Sequence, residues 1–309
     1  VTEASVVRVG TRGSALAKRQ TEIVLTGLRA AHPDITFTVQ IITTKGDAIR
    51  DVPLATLAAG EDGIFTSALE TALLTGNIDL AVHSLKDLPT RGTSGLIIGA
   101  IPERGNPADV LISRNDVSFD ELPYGAIIGT GSPRRAAQLL RLRPDLIIRD
   151  LRGNVDTRIR KATESDDYDG AVLAAAGLER LGRLDEASEI FALDDVLPAP
   201  GQAALAVQCR DELAWRTLLA TIHHAPTAVA VNAERDFLHQ LGAGCSLPVA
   251  AYGIVTSETL RLHGRIITPN GEQAIDLIES FALAEAGEAG GLLAYKALTQ
   301  GAAALLEGV

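Results

Sequence analysis

Short apolar segments alternate with capped amphipathic ones along most of this chain, and no other feature limits its fold so tightly. Val6 to Gly10 reads as a strand, Ser14 as the cap of a helix reaching about Ala31, and Phe37 to Thr43 as a second strand. Ser67-Ala68-Leu69-Glu70 has the capping-box pattern and opens a helix ending near Gly76. The buried strand Leu80-Ala81-Val82 then runs into His83-Ser84-Leu85-Lys86-Asp87, and Leu96 to Ala100 makes another. Pro102-Glu103-Arg104-Gly105-Asn106-Pro107 breaks the pattern and marks a boundary. Beyond it the same grammar returns, with strands near Val110 to Ser113, Ala126 to Gly129, Leu146 to Asp150 and Ala171 to Ala174. A second breaker, Leu197-Pro198-Ala199-Pro200-Gly201, precedes the apolar run Ala203 to Val207. That run is too short to begin a domain and is expected to return to the first sheet.

The expected fold class is therefore α/β: two doubly wound lobes joined by paired connections, enclosing a cleft with a hinge, plus a smaller C-terminal α+β domain with an antiparallel sheet. The first domain joins 1–100 to 198–218, the second covers 105–195 and the third 222–309. In the third, a helix from Asn232 to Leu241 is followed by a loop from Gly242 to Pro248. A hairpin then pairs Leu260 to Gly264 with Ala274 to Glu279 around Pro269-Asn270-Gly271. A last helix is weakened by Gly290 and Gly291.

The hydrophobic share is 46% with only 4% aromatic, which gives an aliphatic core suited to such layers. No apolar run approaches the roughly 20 residues that span a bilayer. The start Val1-Thr2-Glu3-Ala4 has no basic segment leading into an apolar one, so a cytoplasmic protein is expected. Cys209 and Cys245 are far apart without metal-type spacing, so neither a metal site nor a disulfide framework is expected. A formal net charge of −11 argues against a nucleic-acid partner.

Against that acidic total, nine basic residues face three acidic ones between Gly129 and Lys161. Ser132-Pro133-Arg134-Arg135 reads as a cap, a first-turn proline and two arginines. A helix start is already positive, so two cations there destabilise it by about 0.3–1 kcal/mol each unless an anion lies opposite. Arg149, Arg152 and Arg158 follow the next strand, where solvated surface charge is the competing reading. Several guanidinium groups converging on one place imply a ligand with several carboxylates or phosphates. Gly10-Thr11-Arg12-Gly13-Ser14 repeats the strand–turn–cap construction in the first lobe. Neither loop has the third glycine of a dinucleotide fingerprint. Asp87, at the end of a buried strand, either pairs with Lys86 or serves as a general acid and base for a cationic or proton-transfer task. Cys245, among Gly242, Ala243, Gly244 and Ser246, is accessible enough to be a nucleophile or an attachment point, while Cys209 suits inert packing. His83, His223, His224, His239 and His263 read as ordinary core or surface residues.

Arg12 with Ser14, Thr44-Lys45-Gly46-Asp47, His83 to Pro89, the Gly129 to Arg135 loop, Leu151-Arg152-Gly153-Asn154-Val155, Pro200-Gly201-Gln202 and Gly244-Cys245 together resemble the porphobilinogen deaminase family over nearly the whole chain. The resemblance implies two lobes similar to periplasmic binding proteins and a third domain carrying a dipyrromethane cofactor as a thioether. It implies that Cys245 holds the cofactor and that Asp87 is the catalytic carboxylate, assisting loss of ammonia from porphobilinogen and handling pyrrole N–H protons. Four additions would yield the linear tetrapyrrole hydroxymethylbilane, an early step of porphyrin and heme biosynthesis, in a cytoplasmic monomer. Arg12, Ser14, Lys86, Thr130, Ser132, Arg134, Arg135, Arg152 and Arg158 match the family's cofactor-binding positions. Arg12, Arg152, Arg158, Arg180 and Gln202 match its substrate-binding positions. Asp47 also matches a position near the cleft. Asp62 and Ser67 stand where many relatives have lysines, Ala203 where glycine is common, and Gln208 where glutamate is common and where no part in the chemistry is expected. A two-lobed polyanion-binding protein without turnover is the alternative of another class, and Cys245 discriminates, since a binder needs no tether. An acyl-transfer enzyme with Cys245 as nucleophile lacks a histidine positioned to activate it.

Overall fold

The computed structural model of the protein describes residues 6–43, 67–242 and 247–306. The described elements begin with β1 (Val6–Thr11), α1 (Ala15–Ala31), β2 (Thr36–Ile41), α2 (Ser67–Leu74), β3 (Leu80–Ser84), a single 3-10 turn (Leu85–Asp87) and β4 (Leu96–Ala100). Next come β5 (Asp109–Ser113), β6 (Ile127–Gly129), α3 (Pro133–Leu142), β7 (Ile147–Arg149), α4 (Val155–Glu164), β8 (Gly170–Ala174), α5 (Ala175–Leu181) and β9 (Glu189–Ile190). The chain continues through β10 (Leu205–Arg210), α6 (Leu213–Ala220), α7 (Ala225–Gln240), β11 (Val249–Val255), β12 (Thr259–Ile267), β13 (Ala274–Ala282), α8 (Ala289–Thr299) and α9 (Ala302–Leu306).

Two compact units result, residues 1–104 with 204–228, and residues 105–203 with 229–309. The first is built on a five-stranded sheet ordered β2-β1-β3-β10-β4. β1 runs parallel to β2 and β3, while β10 runs antiparallel to β3 and β4, so the short segment after the second breaker does return to the first sheet. β10 extends to Arg210, three residues beyond the predicted run. Val9, Leu25, Leu28, Leu80 and Val207 form the core under α1. Leu69, Leu73 and Ile78 form a smaller one under α2. Asp79, almost buried, accepts from the backbone and guanidinium of Arg8 and from Arg210, which ties the start of β3 to β1 and β10. These partners hold its carboxyl below the usual range, against the opposing effect of burial.

The second unit repeats the plan in a sheet ordered β7-β6-β8-β5-β9, with β6 parallel to β7 and β8, and β5 antiparallel to β8 and β9. It also contains a three-stranded antiparallel sheet, β11-β12-β13, whose β12–β13 register runs from Thr259 opposite Ala282 to Ile267 opposite Ala274. That is the hairpin predicted from the proline-asparagine-glycine turn. Arg265 of β12 joins this sheet to the helix carrying the paired arginines: its guanidinium is held by Asp276 and donates to Gln138 Oε1 and to the carbonyls of Asp194 and Asp195. His263, expected to be ordinary, is buried and within 2.7 Å of Asp276.

Two expectations about helices change. α7 begins at Ala225 rather than near Asn232, because the His224 imidazole caps it: Nδ1 accepts from the Thr227 backbone N–H at 3.3 Å. Gly290 is a packing requirement and not merely a weak point. A Cβ there would lie 2.4 Å from the Ala233 carbonyl oxygen and 2.6 Å from the Phe237 nitrogen, so α8 meets α7 backbone to backbone.

Candidate active site

In the first unit the chain leaves β1 through a turn that has to pass close to its neighbours. A Cβ at Gly10 would sit 2.3 Å from Ile78 Cδ1. Ser14 then caps α1 by accepting from the Ala17 N–H at 3.2 Å, and buried Thr11 donates to the Ala17 carbonyl. This fixes Arg12 in the turn itself, half-buried rather than folded into the helix. Across the sheet, β3 ends at Ser84 and the 3-10 turn carries half-buried Lys86 and exposed Asp87. Arg12, Ser14, Leu16, Gln20, His83 and Asp87 are among the residues lining one pocket, together with Ser84. Gln20, which sequence reasoning passed over, is buried on α1 and donates to Ser84 Oγ at 2.9 Å. Its signal was a polar residue on the apolar face of α1 beside Thr21, Val24 and Leu28.

His83 is buried in the same pocket. Burial pulls its pKa down to about 4, the nearby Arg12 charge adds to the effect, and Gln208 opposes it. The imidazole is therefore neutral near pH 7. Gln208, read as remote from the chemistry, stands directly behind this histidine.

In the second unit the turn after β6 is made the same way. Ser132 caps α3 and Pro133 takes the first helical position. Thr130 is buried, its N–H bound to the Arg149 carbonyl and its Oγ1 accepting from the Ser132 N–H. Arg134 and Arg135, expected to face a ligand, instead fold inward and are 4% and 6% exposed. Asp109, fully buried at the start of β5, accepts from Arg134 Nη2 at 2.7 Å and from Arg135 Nη2 at 2.7 Å and Nε at 3.0 Å. The anion that first-turn arginines demand is thus supplied by the chain itself. Burial alone would raise the Asp109 pKa, but the two guanidinium groups overcome it and hold the carboxyl far below its usual range.

Gln202, expected at the substrate, is fully buried, and its amide donates to Asp109 Oδ1 at 2.8 Å and to the Pro107 carbonyl at 2.7 Å. It orients the carboxylate on which both arginines depend. Sequence reasoning missed Asp109 altogether; its only signal was a lone acid opening the run Val110-Leu111-Ile112.

One carboxylate for two arginines leaves a surplus positive charge in a buried place. Arg134 Nε is moreover a buried donor with no partner among the described residues, and burial lowers the Arg134 pKa despite Asp109. Both observations suit a further carboxylate oxygen, which is what a cofactor with acidic side chains brings. Arg152 donates to Asp150 at 2.8 Å and Arg158 to the Gly153 carbonyl at 2.9 Å, both half-buried. Arg149 is exposed, bound to the Asp167 carbonyl and lying over the Tyr168 ring, as the surface-charge reading has it. Arg180 is half-buried and donates to the carbonyl of Ala203, a residue at φ 68°. Cys245, Asp47 and Asp62 lie outside the described residues. Ser67, the other departure, opens α2.

Residues 7–215 match the family model described as porphobilinogen deaminase, dipyromethane cofactor binding domain, and residues 228–299 match porphobilinogen deaminase, C-terminal domain. Among curated proteins, the porphobilinogen deaminase of Syntrophotalea carbinolica is 46% identical over 98% of this chain and 95% of that protein. The one from Thermus thermophilus is 46% identical over 97% of this chain and 98% of its own length. A solved Salmonella typhimurium periplasmic binding protein aligns with 76% of this chain and 93% of its own at 13% identity, with a TM-score of 0.38.

Proposed function

Because this chain belongs to the porphobilinogen deaminase family, whose members join four porphobilinogen molecules into hydroxymethylbilane with loss of ammonia, we propose specific tasks for its residues in that reaction. Asp87 is the acid and base. It is exposed at the mouth of a pocket otherwise lined by Arg12 and neutral side chains, so a carboxylate there has a cation or an N–H to serve. It takes up the positive charge of the aminomethyl ammonium, stabilises the cation formed as ammonia leaves, and exchanges protons with the pyrrole nitrogen.

Cys245 carries the dipyrromethane through a thioether, and that group when bound supplies the pyrrole end to which each new unit is joined. Arg12, Ser14, Lys86, Thr130, Ser132, Arg134, Arg135, Arg152 and Arg158 hold the acetate and propionate groups of the cofactor. The single observation that carries this reading is the buried pair Arg134 and Arg135 sharing one carboxylate among the described residues, that of Asp109, with Arg134 Nε unpartnered among them. Arg12, Arg152, Arg158 and Arg180 bind substrate carboxylates. Gln202 acts through Asp109 as a positioning residue.

Three domains are proposed, 1–100 with 198–218, 105–195 and 222–309, supported by three separate sheets, each with apolar clusters of its own. The protein is taken to be a cytoplasmic monomer without a nucleic-acid partner. Among the described residues no helix is long and apolar enough to cross a membrane.

Intact mass of the purified protein tests the tether. An adduct of two pyrrole units is expected on the native chain and none on Cys245→Ser. A variant that keeps the adduct removes Cys245 from the assignment.

A further inference from the structure

The Arg134 guanidinium is held at two of its corners: Nη2 donates to Asp109 at 2.7 Å and Nη1 to the Leu197 carbonyl at 2.6 Å. A planar fork fixed at two corners has its remaining N–H, at Nε, aimed in one direction. That N–H is buried and has no partner among the described residues. The groups that orient the two acceptors therefore set where it points. Behind Asp109 stands Gln202. Behind the Leu197 carbonyl stands Gln138, one turn along α3 from Arg134 and 1% exposed. Its Nε2 donates to the Leu197 carbonyl at 3.0 Å and its Oε1 accepts from the Leu197 N–H at 2.9 Å, so the amide grips both polar groups of one backbone residue.

Arg265 of β12 fixes which way round that amide lies. Its Nη1 donates at 2.9 Å to the same Gln138 Oε1 that the Leu197 N–H meets. A guanidinium only donates, so the amide turned over would set its NH2 against two donors and take its hydrogen bond away from the Leu197 carbonyl. Arg265 is itself 9% exposed and closely tied. Its Nε lies 2.9 Å from both oxygens of Asp276, which His263 Nε2 approaches to 2.7 Å, and its Nη groups donate to the carbonyls of Asp194 and Asp195. An ion pair buried to this degree adds little stability over an apolar pair of the same shape. What it supplies is direction.

We propose that Arg265 and Gln138 are positioning residues for the reaction: acting through the Leu197 carbonyl, they aim the Arg134 Nε–H at a carboxylate of the bound dipyrromethane. The proposal rests on the reading given above that Arg134 holds the cofactor. It extends the set of groups behind that arginine from Gln202 on one side to a second amide and a second guanidinium on the other, the latter from the three-stranded sheet.

The test uses holoenzyme labelled with 15N-arginine, in which the Arg134 Nε–H resonance is identified by its absence from Arg134→Met. Arg265→Met and Gln138→Leu are each expected to shift or broaden that resonance. Each should also lower turnover per adduct-bearing chain about fivefold, the effect of one hydrogen bond, with intact mass giving the loaded fraction. Arg265→Lys, which keeps a donor for Gln138 but not the fork, should recover part of the loss, and it carries the comparison if Arg265→Met does not fold. Because Arg265 acts through Gln138, the double variant should be no slower than Gln138→Leu alone. An unmoved Arg134 resonance, native turnover in the variants, or losses that multiply in the double variant each overturns the proposal. Full loading and native turnover in Arg134→Met overturns instead the reading beneath it, so the two failures are separately visible.

Discussion

In the first unit, the sheet order β2-β1-β3-β10-β4 sets a parallel trio beside an antiparallel fourth strand, and in the second, β7-β6-β8-β5-β9 does the same. The fourth strand starts in both at a residue facing the end of the third: Leu205 opposite Ser84, and Asp109 opposite Ala174. A glycine near the end of the leading strand and a serine cap on the helix that follows are also shared. A Cβ at Gly129 would meet Leu151 Cδ2 at 2.7 Å, much as one at Gly10 would meet Ile78. Yet the arginines differ. Where the fourth strand opens with a leucine, Arg12 stays in the turn before the cap and lines a pocket. Where it opens with an aspartate, Arg134 and Arg135 are drawn inside. One topology thus carries a pocket-lining arginine before the cap in one lobe and a buried pair of arginines after the cap, held on Asp109, in the other.

Four outcomes would break or sharpen this contrast. The largest effect belongs to Asp87→Asn, which should cut kcat by about 10²- to 10⁴-fold, the usual contribution of a general acid and base. Its urea midpoint should barely move, since Asp87 is exposed. Asp109→Asn should do the opposite kind of damage. Leaving two buried guanidinium groups without their carboxylate costs on the order of 3–5 kcal/mol of stability, read from denaturant unfolding. A loss near zero would mean that the second lobe is not anchored as described.

Acid should erase that second difference. The Asp109 pKa is depressed in the folded protein and ordinary, about 3.9, in the unfolded chain. Its contribution is therefore complete above the unfolded value and is lost as pH falls below about 4 toward the folded one. Unfolding midpoints of the native protein and Asp109→Asn, well apart at pH 7, should converge progressively below pH 4. A gap that widens there would have the wrong sign for a depressed carboxylate. The smallest effects are those of the caps: Ser14→Ala and Ser132→Ala should each cost about 1 kcal/mol of stability. Near-equal losses fit two similarly built turns, whereas a much larger loss at Ser132 would show that the cap also holds the buried arginines.

Much of the scaffold was legible in the chain because its signals are short-ranged. Ser14 and Ser132 cap the helices assigned to them, the first proline-rich breaker spans the passage between units at residues 104 and 105, the second lies just before the passage at 203 and 204, and the hairpin turns at Pro269-Asn270-Gly271. α7 escaped at its start because His224 is not among the side chains that patterns recognise as caps. The site was legible only in part. Asp87 and Arg12 share a pocket as their motifs suggested, but Gln20, Asp109 and the surroundings of His83 were not foreseen. Gln202, assigned to substrate, has its amide nitrogen on Asp109 and a carbonyl.

Period, caps and breakers act over three or four residues, and so the order of strands and helices, the excess of arginine and the isolated carboxylate at the end of β3 could be read from the sequence alone. Which anion meets Arg134 and Arg135 is different. Asp109 lies 25 and 26 residues from them and 93 from Gln202. A charge pair depends on distance and on removal from water, and neither is written in the local pattern. Only the folded sheets bring these groups together, bury them, and leave His83 uncharged beside Asp87.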